Sequence, residues 1–405
     1  MEAPVAADIP EKGPQRPAFH VFAVFLRLGL TSFGGPIAHL GYFRDAFVVR
    51  RRWLSEASYA ELVALCQILP GPASSQVGFA IGLREGGFAG AAAAFLGFTL
   101  PSALMMFAAA FGLGFLPATI RTPVFHGLIL VAVPIVAHAV IGMAMKLCNR
   151  PLTAAISVAA LVVLVLASKP WLQPVVIVLG GALGLAFIRG EQRDHHAFAA
   201  PVSQPVAIAC LAAFAVLLVG LPLLAAAAGS PALALTDGVY RSGALVFGGG
   251  HVILPLLEAE TVGKGLLDAD SFLAGYGVAQ AIPGPLSSFA AYLGALSGTD
   301  VPAIVAGLLA LVAIFAPGFL LLVGVLPFWG ALGATRWMAS LSAGAGAAVV
   351  GVLAAALWRP VITSAVLSPA DALIAAAGLV ALIARTPIWL VVLGVALAGA
   401  YSSAG

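Results

Sequence analysis

The chain has 405 residues, 62% of them hydrophobic and 9% charged, with a mean hydropathy of +1.09. Soluble domains are typically about 45–50% apolar and about 25% charged, and 19 basic plus 16 acidic side chains cannot cover a chain of this size with a polar surface. That excludes an ordinary globular enzyme, a nucleic-acid binder and a disordered scaffold, and leaves a polytopic membrane protein of net charge +3 whose basic residues sit mostly at the ends of apolar runs.

Residues 1–17 form a polar, proline-rich tail without the basic, apolar, small-residue order of a cleaved signal peptide. A spanning helix takes about 20 mostly apolar residues. Such runs follow at 19–40, 59–83, 88–112, 124–146, 152–168 and 172–188. After a polar break at 189–196 come 206–226, 238–257, 272–296, 303–328, 337–358, 371–383 and 388–401. No stretch between these thirteen segments is long enough for a separate soluble domain. Cys66, Cys148 and Cys210 are odd in number and far apart, so no disulfide framework or metal cluster is implied.

The segments repeat. Arg27-Leu28-Gly29 followed by Phe33-Gly34-Gly35 recurs as Arg241-Ser242-Gly243 followed by Phe247-Gly248-Gly249, an offset of 241 − 27 = 214. Gln67-Ile68-Leu69-Pro70-Gly71-Pro72 recurs as Gln280-Ala281-Ile282-Pro283-Gly284-Pro285, with Ser74-Ser75 answered by Ser287-Ser288, at 283 − 70 = 213. Leu179-Gly180 and Leu393-Gly394 return to 214. The organisation is therefore a tail (1–17), a first membrane repeat (18–190), a polar loop with a connecting helix (191–235) and a second repeat (236–405). Each repeat holds six segments.

Seven segments separate the two FGG positions, an odd number, so the second repeat is expected to be inverted relative to the first. Charge agrees: Arg44 and Arg50-Arg51-Arg52 follow the first FGG, whereas Glu258, Glu260, Asp268 and Asp270 with only Lys264 follow the second, and basic loops stay cytoplasmic. If the FGG and PGP segments dip in and return, thirteen Lys/Arg lie inside and only Arg121, Lys169, Lys264 and Arg359 lie outside. If all thirteen segments span, the split is ten to seven. The reading is thus an all-α membrane protein of two inverted repeats, with Gly/Pro-broken, re-entrant helices at the repeat interface, the arrangement in which transporters place their substrate.

The breaks carry the chemistry. Proline lacks the donor and suits a helix start, and glycine permits the turn. Gly34-Gly35-Pro36, Gly248-Gly249, Pro70-Gly71-Pro72 and Pro283-Gly284-Pro285 each expose unpaired N–H groups suited to an anion. Ser74, Ser75, Ser287 and Ser288 add hydroxyl donors. Gly and Pro also simply kink and pack membrane helices; their paired, ordered occurrence favours a site. Arg27 and Arg241, each seven residues before its first motif glycine, offer planar donor forks and two positive charges for a tetrahedral dianion, against snorkelling to the interface. Gln67 and Gln280 either donate to substrate or satisfy the broken backbone. His39, His251, Glu61 and Glu258 are weaker candidates for coupling protons, and His126, His138 and Cys66 read as packing residues. The 42–57 stretch, with Trp53 and three arginines, reads as an amphipathic interfacial helix. Few acidic residues fall mid-segment, and neither a phosphate-binding loop nor an HExxH helix is present. A gradient-driven transporter fits best, an enzyme ranks far behind it, and no cofactor is implied.

Phe33-Gly34-Gly35-Pro36 with Ala38-His39, Pro70-Gly71-Pro72, Phe247-Gly248-Gly249-Gly250 with Leu254-Pro255-Leu256, and Pro283-Gly284-Pro285 together resemble the chromate ion transporter family in its long, two-domain form. The resemblance covers nearly the whole chain after the tail. It implies a bacterial inner-membrane protein that exports chromate, driven by the membrane potential or a proton gradient, and confers chromate resistance, with sulfate as competitor. Gly250 stands where the first repeat has proline, as in the family's second half. The alternatives carried forward are a sulfate or other inorganic anion permease and, far behind, a polytopic membrane enzyme. A homodimer stays open, since nothing in the sequence specifies one.

Overall fold

The computed structural model describes residues 16–113, 117–167, 169, 172–189, 201–247, 253–329 and 336–404, and every regular element among them is helical. The first repeat comprises α1 (Ala18–Thr31), α2 (Gly35–Arg44, continued by a π-helical turn Asp45–Arg50), α3 (Glu56–Ile68), α4 (Ala73–Gly112), α5 (Ala118–Leu147), α6 (Pro151–Ala167) and α7 (Leu172–Phe187). After α8 (Gln204–Ala228) come α9 (Pro231–Ala244), α10 (Ile253–Thr261), α11 (Ala269–Ala281), α12 (Phe289–Leu296, entered by the 3-10 turn Leu286–Ser288), α13 (Ala303–Val325), α14 (Arg336–Ala356), α15 (Pro369–Ile383) and α16 (Ile388–Ala404). Among the described residues, five helices are long and apolar enough to cross a membrane: Ala73–Gly112, Thr122–Leu147, Gln204–Ala228, Ala303–Phe328 and Trp337–Ala365.

A shift of 213 to 214 residues lays α1–α3 on α9–α11 and α5–α7 on α14–α16, each within a few residues. The counterpart of α12 and α13 is α4. Its backbone leaves helical geometry at Gly86 (φ −145°, ψ 20°) and Gly87 (φ 62°, ψ −157°), where the second repeat has its turn between Ser297 and Pro302. Two arms result, 73–85 and 88–112, so close that a Cβ on Gly82 would strike the Gly90 carbonyl. A glycine pair is what the turn requires: Gly87 has a positive φ, and Gly82 and Gly90 leave no room for a side chain.

The first FGG stretch and both PGP stretches are tips of helical hairpins, each of which the sequence presents as one apolar segment. Phe25 of α1 stacks on Phe47 and meets Phe43 edge-on, with centroids 5.0 and 5.8 Å apart, so α2 returns along α1. Tyr292 Oη donates to the Ser271 carbonyl at 3.0 Å, and Gly298 N–H donates to the Leu266 carbonyl at 3.1 Å. The outer ends of the α11–α12 hairpin therefore meet. In the first repeat Arg16 does the same work for α3 and α4: its guanidinium lies over Trp53, 4.7 Å from the ring centroid, and its Nε donates to Glu85 at 2.8 Å.

The repeats interlock. Phe95 packs on Phe315 and Phe319, at 5.1 and 5.3 Å, while Phe107 lies against Gly307. The second arm of α4 and its counterpart α13 thus run antiparallel. α7 packs on α14, where Gly180 and Gly184 face Gly344 and Ser340 Oγ donates to the Ile188 carbonyl at 2.8 Å. Equivalently, α16 packs on α5, with Ala396 against Gly127. Small residues at these crossings bring backbones together, as membrane helices require.

The 42–57 stretch is not a separate interfacial helix. Phe43, Phe47 and Trp53 are buried because they pack against α1 and against one another, and Arg50 stays out, paired with Asp45 at 2.7 Å. Outside the spans, the Arg44 guanidinium donates to Glu56 at 2.6 and 2.9 Å, and this hydrogen bond holds that carboxyl below its usual range. His126, read as packing, is instead bonded through Nε2 to Asp371 at 2.9 Å, because the α15 cap brings that carboxylate against α5.

Candidate functional site

The four tips converge by two backbone hydrogen bonds that are each other's counterparts. Gly71 N–H donates to the Val246 carbonyl at 2.8 Å, and Gly284 N–H donates to the Ser32 carbonyl at 2.9 Å. Both relations obey the repeat: 284 − 71 = 213 and 246 − 32 = 214. Each PGP turn of one repeat is thereby tied to the residue immediately before the FGG motif of the other. Gly71 and Gly284 have φ of +129° and +101°, and a Cβ on either would press on Gln76 and Gly318 or on Ser102. Gly34 (φ +96°) and Gly35 (φ +75°) make the α1–α2 turn.

Helix starts point into this junction without side-chain caps: α2 behind Gly34, α4 behind Pro72, and the turn entering α12 behind Pro285. Their first N–H groups have no intrahelical acceptor. Buried polar side chains gather here too. Ser74, Ser75, Gln76, Gln280, Ser287 and Ser288 are all buried, as are Ser32, Thr99 and Ser102. His39 is fully enclosed, its Nδ1 3.4 Å from Ser74 Oγ and its ring edge-on to Phe98. Among the described residues, Ser32 Oγ, His39 Nε2, Ser75 Oγ, Gln76 Oε1, Thr99 Oγ1, Gln280 Nε2 and Ser288 Oγ lack a hydrogen-bond partner. Leaving a buried polar group unpaired costs about 1–3 kcal/mol. Such a concentration at one place calls for a polar occupant.

Gln76 is the residue that sequence reasoning missed. Its Nε2 donates to the Pro70 carbonyl at 3.1 Å and the Gly318 carbonyl at 2.9 Å, pinning the first PGP turn to α13. The second repeat has Phe289 at the matching position, so repeat symmetry does not reveal it. Thr99 and Ser102 were missed as well, although hydroxyls flanking Pro101 in an apolar run offered a signal.

The two arginines do not share an environment. Arg27 is exposed. Arg241 is held by Asp237 at 2.9 and 2.7 Å and lies 3.5 Å from Glu260, which also pairs with Lys264. Asp237, at i−4 on the same helix, was available in the sequence as a partner. Gln67 is exposed whereas Gln280 is buried. Glu61 is buried, and Glu258 lies at a cavity formed with α6, α7 and α14, apart from the tips. Gly248, Gly249 and His251 lie outside the described residues.

The profile of the chromate transporter family matches residues 19–185 and again residues 233–400. The chain belongs to the chromate transporter family. It is 30% identical over 309 residues to a chromate transport protein of Pseudomonas aeruginosa, covering 74% of this chain and 70% of that one. To the chromate transport protein of Cupriavidus metallidurans it is 28% identical over 345 residues, 82% and 80% of the two chains. An uncharacterized transporter of Methanocaldococcus jannaschii is 27% identical over 333 residues, 80% of each chain. No solved structure matches. Family membership and the apolar helices make this an integral membrane protein, and the relatives it matches are transporters by name.

Proposed function

We propose that this family member is a secondary transporter that exports a tetrahedral oxyanion, chromate foremost, from the cytoplasm across a bacterial inner membrane, and that the anion binds at the junction of the four tips. The observation that carries this reading is the pair of crossed hydrogen bonds, Gly71 to Val246 and Gly284 to Ser32, around which uncapped helix starts and unpartnered buried hydroxyls collect. Helix N-termini and neutral donors stabilise an oxyanion without a fixed counter-charge. Ser74, Ser75, Ser287, Ser288, Gln280 and His39 are the direct ligands in this reading, and Gly34, Gly35, Gly71, Gly284 and their neighbouring prolines shape the backbone. Arg27 and Arg241 act from outside the junction, Arg241 as a structural cation. The names of the bacterial relatives favour chromate over sulfate as the physiological cargo.

The two repeats are inverted in the bilayer in this reading, with the hairpins re-entrant from opposite faces. The antiparallel passage of α4 and α13, and the joined outer ends of α11 and α12, support it. Everted vesicles should accumulate chromate when energised, and unlabelled sulfate should compete. Uptake equal to that of vesicles lacking the protein overturns the proposal. Cysteines at positions 44 and 258 should label from opposite sides of the membrane; labelling of both from one side overturns the inversion.

A further inference from the structure

At the corner where α6 hands over to α7, beside the end of α14, two cavities adjoin. One is an apolar groove of about 430 Å³, walled by Leu161, Val162, Leu166, Leu357 and Ile362. The other, of about 300 Å³, is lined by Lys169, Gln173, Glu258, Arg359 and Thr363. Val165 and Trp358 belong to both linings, so the groove and the polar chamber lie side by side with only these side chains between them. The size of each suits a small-molecule subsite.

The groove faces outward: Leu166 is 80% and Trp358 56% exposed, on a helical surface where a soluble protein would have polar residues. The chamber has both signs of charge. Arg359 adopts an extended backbone (φ −137°, ψ 122°) inside the π-helical stretch Leu357–Ile362, as a residue preceding proline is driven to do, and this interrupts the helix at the chamber. Among the described residues Glu258, Lys169 and Arg359 are not ion-paired with one another, and Gln173 Oε1, shut off from solvent, accepts no hydrogen bond. Two cations, a carboxylate and an open amide acceptor thus stand at the head of an apolar slot, with a tryptophan at the boundary, the arrangement of a membrane-interface level.

We propose that the adjoining cavities form one binding site for a phospholipid with an ethanolamine headgroup: an acyl chain lies in the groove, the phosphate on Arg359 and Lys169, and the primary ammonium on Glu258 and Gln173. Guanidinium and phosphate match as a fork. A purely anionic headgroup would satisfy the two cations but set its charge against Glu258 without an ammonium to meet it. A choline headgroup has the right charges, yet its methylated nitrogen cannot donate to Glu258 or to the Gln173 carbonyl. The site stands apart from the tips and does not depend on which anion is carried.

Native mass spectrometry of the full-length protein with phosphatidylethanolamine, its mono- and dimethylated derivatives, phosphatidylcholine and phosphatidylglycerol tests this. Retention by the unaltered protein should fall stepwise along the methylation series, with a total loss of about tenfold, the worth of one charge-assisted hydrogen bond. Glu258→Gln should erase the ethanolamine-over-choline preference while lipid still binds, and Lys169→Gln with Arg359→Gln should reduce retention of every phospholipid. Glycerophosphoethanolamine, which has the head but no chains, should fail to displace the lipid. Equal retention of all headgroups by the unaltered protein overturns the proposal, and that measurement depends on no variant's folding. An unchanged preference in Glu258→Gln, or displacement by the chainless head as strong as by intact lipid, overturns it too.

Discussion

The α1–α2 and α9–α10 pairs hold matching places in the two repeats and close with different chemistry. In the first, α1 and α2 close through rings: Phe25, Phe43, Phe47 and Trp53 are buried together. In the second, α9 and α10 close through charge, with Asp237, Arg241, Glu260 and Lys264 in an alternating chain. Yet the hydrogen bonds that join the tips are retained on both sides, because the backbone makes them. Duplication here has kept the PGP turns and their main-chain contacts, which glycine and proline encode, and let side-chain roles drift. Matched letters at matched offsets, such as Arg27 and Arg241, are therefore weaker guides than matched turns.

The largest effects should come from the shared turns. Gly71→Val and Gly284→Val each force a β-branched residue into positive φ and against packed atoms, at a cost of about 2–5 kcal/mol from strain and overpacking together. Thermal unfolding in detergent should fall for both, by similar amounts, and chromate uptake should be lost. A large effect at one and none at the other would break the symmetry. Next comes the charged closure. Asp237→Asn leaves the half-buried Arg241 with a weaker partner and should cost about 1–3 kcal/mol, while Arg27→Gln should stay within about 0.5 kcal/mol. Equal losses would mean that the arginines do share a role. Gln76→Leu removes both ties between the Pro70 turn and α13 and should cost about 1–2 kcal/mol, with a raised KM for chromate. Smallest in stability, within about 0.5 kcal/mol, are Ser75→Ala and Ser288→Ala, whose hydroxyls have no protein partner to lose; uptake should nonetheless fall by about tenfold, the worth of one hydrogen bond to a charged ligand. Normal uptake in both would remove these serines from the anion's shell.

Much of the architecture was legible because it is written in local chemistry. Pro70-Gly71-Pro72 and Pro283-Gly284-Pro285 cannot continue a helix, and the repeat of 213 to 214 residues orders every described helix but the connecting α8. The 42–57 stretch misled because a tryptophan beside three arginines has the composition of an interfacial helix, while burial of Phe43 and Phe47 depends on α1 lying alongside. The environments of Arg27 and Arg241 were hidden for the same reason. Asp237 shares a helix with Arg241, but Glu260 reaches it only once α10 has folded back. Gln76 could not be found by symmetry, since its counterpart is a phenylalanine and its acceptor lies on α13, 242 residues away.

Each repeat lends its final helix to the other's long one: α7 rests on α14, and α16 on α5. The halves are thus clasped like crossed arms, and a wide swing of one against the other would tear two helix seams at once. In the proposed transport, passage of cargo then falls to small movements of the turns at the centre, around a frame that stays put. The clasp also sets a rule for any protein built from a single such unit. Alone, its long helix would show a bare seam and its last helix would have nowhere to dock, so it would have to pair with a second copy of itself.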